Sequence, residues 1–169
     1  ETGRAYFETK NRRITILDAP GHNNYVPAMI SGASQADVGV LVISARKGEF
    51  EAGFEGLGQT REHAILAKTL GIQKLLVVIN KMDDPTVNWD QDRFNTCCKK
   101  LLPFLRSCGY NTKKNVTFIP ISAFNGQNIK ETISSDICEW ASKENNGCSF
   151  ITILDQIIIK GRDNNKPLR

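Results

Sequence analysis

Asp18-Ala19-Pro20-Gly21-His22 and Asn80-Lys81-Met82-Asp83 are the two segments whose residue types and spacing suit chemistry. Each directly follows an apolar run with the marks of a β-strand, Ile14 to Leu17 before the first and Leu75 to Ile79 before the second. Ligand loops of open α/β sheets stand at such strand ends. A guanine base presents two adjacent donors, N1–H and the 2-amino group, and one carboxylate on a fixed loop accepts both. Asp83 suits that task. Adenine lacks the donor pair and would leave a buried carboxylate unmatched, a mismatch that binding sites reject strongly. Asn80 can bridge the base and a neighbouring loop, and the stem of Lys81 can cover the base face. Ser122-Ala123-Phe124 follows the next strand and can turn backbone N–H groups towards guanine O6. Taken alone, Asn-Lys-Met-Asp also reads as a surface turn with a helix cap. The strand before it and the later Ser-Ala favour the base-reading alternative.

The first segment suits a phosphate. Asp18, at a strand end, can hold magnesium through a water. Gly21 can bring its backbone N–H close to a γ-phosphate, since no Cβ stands in the way. His22 then lies next to the attacked phosphorus. Phosphoryl transfer asks mainly for positioning and charge stabilisation, so His22 is read as orienting the water. Elsewhere a lone histidine reads as a cap or core residue, and His63 in Arg61-Glu62-His63 is given that reading, packing or surface. No G-x-x-x-x-G-K-[ST] phosphate loop occurs in the 169 residues.

The elements that must carry these loops are legible in the pattern. Arg4 to Thr9 and Arg13 to Leu17 flank a short polar turn and predict a hairpin. Tyr25 to Ser34 reads as an irregular helix with Pro27 in its first turn. Val38 to Ile43 is nearly all apolar, which predicts a strand covered on both faces. Lys47 to Gly58 holds four glycines and three glutamates and reads as a loop. Thr60 is expected to cap a helix through Leu70, closed by Gly71. Leu75 to Ile79 predicts a buried strand that delivers Asn80. Asp90 opens a helix to about Cys108, which Pro103 should bend or break. Val116 to Ile121 is the next strand, and Ser149 caps a last helix through about Ile159. Strand, loop and helix thus alternate, which argues for a mostly parallel sheet with helices on both faces.

Composition sets outer bounds. Hydrophobic residues make up 40% and charged residues 24%, as in soluble globular domains. Lys+Arg 22 against Asp+Glu 18 gives +4, an excess that permits contact with RNA without demanding it. The basic residues are scattered, as on a solvated face. No apolar stretch approaches the roughly 18 residues of a membrane span. Cys97, Cys98, Cys108, Cys138 and Cys148 form no C-x-x-C pair and read as free thiols of a reducing cytosol.

Asp18 to His22, Gln59-Thr60-Arg61-Glu62-His63 and Asn80 to Asp83 together resemble the translational GTPases related to the eukaryotic elongation factor that delivers aminoacyl-tRNA. Ala33 to Asp37 before Val40-Leu41-Val42 adds to the likeness. Lys81-Met-Asp-Asp-Pro-Thr-Val-Asn-Trp89 is the discriminating segment, and it is similar to the GTP-binding subunit of the eukaryotic peptide chain release factor. Arg4 to Thr9 and Leu102-Pro-Phe-Leu105 agree with it. The likeness is close from about residue 3 to residue 128 and looser beyond.

The resemblance implies an α/β fold, a P-loop-type GTPase domain over residues 1–160 that is N-terminally truncated and lacks its first strand, phosphate loop and first helix. Residues 161–169 would then be an exit linker towards a β-barrel domain. In that family's sheet order the missing strand is central, so a gap is expected between the hairpin and the strand at Val38. The implied cofactors are GTP or GDP and Mg2+, with Asp18 holding the metal through water. The implied partners are the stop-codon-reading release factor and the ribosome, in the cytoplasm, with neither membrane nor DNA. The implied activity is a GTP-hydrolysing switch of translation termination, with this fragment inactive alone. A ribosome-rescue or elongation-type GTPase, or a nucleotide-state binding module without hydrolysis, are the alternatives.

If His22 positions the attacking water, His22→Ala in the full-length protein leaves GTP affinity nearly unchanged. Ribosome-stimulated turnover is then expected to fall by ~10²-fold or more. Nucleotide titrations paired with turnover assays check this, and equal losses in both would mark a structural histidine.

Overall fold

The computed structural model describes residues 3–18, 36–54 and 58–159. Gly21, His22, the expected helix from Tyr25 to Ser34 and the exit segment 161–169 lie outside them.

Alternating β-formers around a polar turn form a hairpin, as expected. Strand β1 (Gly3–Glu8) pairs antiparallel with β2 (Arg13–Asp18), with Gly3 opposite Asp18 and Glu8 opposite Arg13. The Thr9 N–H closes the turn on Arg12 O at 2.8 Å. Thr9 Oγ1 and Asn11 Nδ2 both donate to the Asp155 carboxylate, which ties the turn to the last helix.

The second sheet is parallel and three-stranded, in the order β3 (Val38–Ser44), β4 (Lys74–Asn80), β5 (Val116–Pro120). Central β4 is the most buried strand, with Leu75 to Ile79 all in the core. One of its faces, Leu75, Val77 and Ile79, meets helix α1 (Glu49–Phe54), helix α2 (Gln59–Thr69) and helix α3 (Gln91–Ser107) through Phe50, Phe54, Ala64, Phe94, Cys97, Leu101 and Leu105. A short helix α4 (Glu139–Lys143) runs into a 3-10 turn (Glu144–Gly147) and then α5 (Phe150–Gln156). Through Ile153, α5 covers Leu76, Val78 and Ile119 on the opposite face. The sheet is therefore parallel with helices on both sides. The hairpin shares no strand pairing with it among the described residues.

Several expectations need correction. The strand at Val38 is not covered on both faces: Val40 is 43% and Val42 59% exposed. They stand in register with Leu76 and Val78, and so on the α5 side. Helix α5 packs on β4 and β5, and among the described residues no helix covers that face of β3. The expected loop at Lys47 to Gly58 contains α1, because Phe50 and Phe54, one turn apart, both enter the core with rings 5.7 Å apart. Helix α2 starts from Gly58, with no side-chain cap, rather than from Thr60. Helix α3 runs through Pro103 unbroken. Buried Leu101 and Leu105 on either side hold it to the sheet, offsetting one lost backbone bond. The final helix stops at Gln156 rather than Ile159, although Ser149 caps it by accepting from Thr152 N–H.

Asp90 caps α3 as expected, accepting from the N–H groups of Asp92 and Arg93. The first turn of α3 places Arg93 against α1. Arg93 donates to Ala45 O at 2.7 Å and to Glu51 Oε1 at 2.8 Å. That hydrogen bond, outweighing desolvation, lowers the Glu51 pKa from 4.5 to about 2. A depressed carboxylate pKa means stability fully present above about pH 4.5 and lost as pH falls towards 2. Urea denaturation of Glu51→Gln across that range is expected to show a shallower acid loss than the parent, whereas equal slopes would contradict the ion pair's contribution.

Candidate nucleotide-binding site

The candidate residues at the carboxyl ends of β4 and β5 come together through side-chain hydrogen bonds. Asn80 ends β4, and its Oδ1 accepts from its neighbour Lys81 N–H at 2.7 Å and from Ala123 N–H at 2.9 Å. The second bond crosses from the β4 loop to the β5 loop. Lys81 adopts φ 62, a left-handed conformation that costs a non-glycine residue about 1–2 kcal/mol. The bond of its N–H to Asn80 stabilises this sharp exit from the strand.

Beyond Lys81 the loop is pinned inward. Met82 is fully buried and donates its N–H to Ile121 O at 3.2 Å. Trp89 N–H returns to Met82 O at 2.7 Å. Asp84 Oδ1 accepts from Thr86 N and Thr86 Oγ1 at 2.8 and 2.6 Å, bonds that lower its pKa. Trp140 Nε1 donates to Trp89 O at 2.7 Å. Half-buried Asp83 thus stands on a loop held at both ends.

The β5 loop is equally closed. Ser122 and Gln127 exchange both backbone bonds, at 3.2 and 3.0 Å, and Gly126 supplies the left-handed turn at φ 69. Ser122 is buried and its Oγ accepts from Asn125 N–H, so its side chain shapes the loop. In this arrangement the Ala123 N–H is engaged by Asn80. Phe124 is 94% exposed beside it. Asn128, 2% exposed, locks the loop from beneath by donating to Pro120 O at 2.8 Å.

Two contributors escape a reading of the motifs. Asn125 Nδ2 donates to Asp83 Oδ2 at 2.8 Å. Glu49, at the start of α1, accepts from Lys81 Nζ at 2.8 Å, and this bond lowers its pKa. Asn125-Gly126 is a recognisable turn pair, but its reach to Asp83 spans 42 positions and leaves no local signal. Glu49 lies within the segment that reads as a loop.

Asp18, the candidate metal residue, ends β2 in the separate hairpin sheet. Among the described residues no group of three or more histidine, cysteine, aspartate or glutamate side chains gathers in a metal-binding arrangement. All five cysteines are free, and burial raises the Cys98 thiol to about 12. His63 is half-buried, and desolvation lowers its pKa. No described helix is long and apolar enough to cross a membrane.

A parallel sheet with two joined polar loops at its carboxyl edge is the architecture of a nucleotide-binding class. The profile of the elongation factor Tu GTP binding domain matches residues 1–160, and the chain belongs to that family. It is 56% identical over 167 residues to the eukaryotic peptide chain release factor GTP-binding subunit of Kluyveromyces lactis. That alignment takes in 99% of this chain and 23% of the relative, so the chain spans about a quarter of the relative's length. Two crystal structures, of Sup35 complexed with GDP and with GMPPNP, are 52% and 53% identical to it, each with a TM-score of 0.77. Each superposition covers 92% of this chain and 35% of the other.

Proposed function

We propose that this chain is the guanine-reading part of a GTP-binding and GTP-hydrolysing switch of translation termination. The switch acts in the cytoplasm, on the ribosome, with the stop-codon-reading release factor. The observation that carries this reading is the bond from Ala123 N–H to Asn80 Oδ1, which sets the Asp83 loop and the Ser122–Phe124 loop side by side. The likeness to the release factor's GTP-binding subunit supports the termination role, and Sup35 bound to GDP and to GMPPNP supports the choice of nucleotide.

Each residue then has a chemical task. Asp83 accepts from N1–H and the 2-amino group of guanine. Asn80 holds the two loops together and faces the base edge. The stem of Lys81, steadied at its ammonium by Glu49, lies over one base face. Exposed Phe124 offers an aromatic surface at the rim, and its backbone N–H serves guanine O6, because the Ser122 and Ala123 N–H groups expected for that task are engaged by Gln127 O and Asn80 Oδ1. Asp18 is the residue of this chain that would hold Mg2+ through a water, and the ion would neutralise phosphate charge. Gly21 and His22 serve the γ-phosphate and the attacking water, a role that rests on their sequence positions.

In the full-length protein, Asp83→Asn is expected to weaken GTP binding by about 1–3 kcal/mol, the cost of an unpaired buried polar group. Xanthosine nucleotides, whose C2 oxygen accepts from an amide, should gain. A competition titration measures both, and unchanged GTP affinity would sink the assignment.

A further inference from the structure

We infer that Asn125 is a positioning residue for base selection: it orients the Asp83 carboxylate from the opposite loop. The inference deepens the guanine-reading proposal and rests on it. Asn125 Nδ2 donates to Asp83 Oδ2 at 2.8 Å. A carboxylate only accepts, so this contact fixes which end of the Asn125 amide faces Asp83. The donor itself is held in place. Its backbone N–H bonds to buried Ser122 Oγ, and the loop is closed by the Ser122–Gln127 backbone pair. Asp83 rides on the other loop, which Asn80 ties to the same segment through Ala123.

The two asparagines therefore cross-link the loops in opposite senses. Asn80 reaches from the β4 loop and accepts. Asn125 reaches from the β5 loop and donates. One lone pair of Asp83 Oδ2 is taken, and the carboxylate loses its freedom to rotate. Its remaining lone pairs keep a fixed direction in which a base with two adjacent donors fits. An unrestrained carboxylate would have to be ordered by the nucleotide on binding, which weakens affinity. Asn125 is exposed, so its truncation spares the core.

The test uses the full-length protein with fluorescent GDP, and with GDP and xanthosine diphosphate as competitors. Asn125→Ala is expected to weaken GDP binding by about tenfold, chiefly through faster release, with an unchanged melting temperature. The exchanged pair Asp83→Asn/Asn125→Asp gives a second readout. In Asp83→Asn alone, the two facing amides can pair in either sense, so the new amide is free to present its nitrogen to the C2 oxygen of a xanthosine nucleotide. In the exchanged pair, the carboxylate introduced on the β5 loop accepts and turns the new amide's nitrogen towards itself. The affinity ratio of xanthosine to guanosine diphosphate should then differ by about tenfold or more between the two variants, an effect that loop stability alone would not produce. If Asp83→Asn changes base preference but Asn125→Ala binds GDP like the parent and the two ratios agree, the inference on Asn125 is overturned while the guanine reading stands. If Asp83→Asn leaves GDP binding untouched, the guanine reading fails and the inference falls with it.

Discussion

Asn80 Oδ1 accepts two backbone N–H groups, that of Lys81 at 2.7 Å and that of Ala123 at 2.9 Å. One belongs to the loop that Asn80 begins, the other to a loop 43 residues further on. That shared acceptor joins the two loops at the strand ends, alongside Met82 N–H to Ile121 O and Asn125 Nδ2 to Asp83 Oδ2. The bond also requires β4 and β5 to end at matched levels. Their register sets Ile79 beside Pro120, and Ile121 N–H continues the ladder to Ile79 O at 2.9 Å. Register is held by packing on both faces, Leu75, Val77 and Ile79 in one core and Leu76, Val78 and Ile119 in the other. The core under the sheet and the site at its edge are thus one problem.

Charge plays a secondary part around this centre. Glu49 pairs with Lys81 and with Arg46, and Arg46 reaches Asp84 at 3.4 Å. Exposed pairs of this kind contribute little each. Their effect is to dock the start of α1 against the Asp83 loop. The stronger hold comes from buried groups, where Met82 and Trp89 sink the loop into the core and Trp140 closes over it. The Asp84 to Trp89 segment, which carries the likeness to the release factor, is therefore a packed extension of the Asp83 loop. Its left-handed Asn88 and Trp89, at φ 47 and 53, turn the chain back to the cap at Asp90.

The continuous apolar run of Leu75 to Ile79 announced the central strand, and the amide and carboxylate at its end marked the candidate loop that the structure brings against the Ser122 loop, because both signals are local. Asp90 and Ser149 announced their helices for the same reason. Helix α1 was hidden because its four-glycine surroundings outweighed Phe50 and Phe54, whose spacing matters only once a core exists to receive them. Val40 and Val42 read as buried because periodicity reports apolar character, whereas cover depends on which helix lands on which strand. Asn125 and Glu49 were illegible because their partners lie 42 and 32 positions away.

In the proposed reading, Asn80 joins two loops into one guanine-reading surface. Amide hydrogen exchange at Lys81 and Ala123, measured with GDP affinity in full-length Asn80→Ala, tests it most directly. Both amides are expected to lose protection together, and GDP binding to weaken by about tenfold or more. Retained protection at Ala123 with undiminished GDP affinity would contradict it.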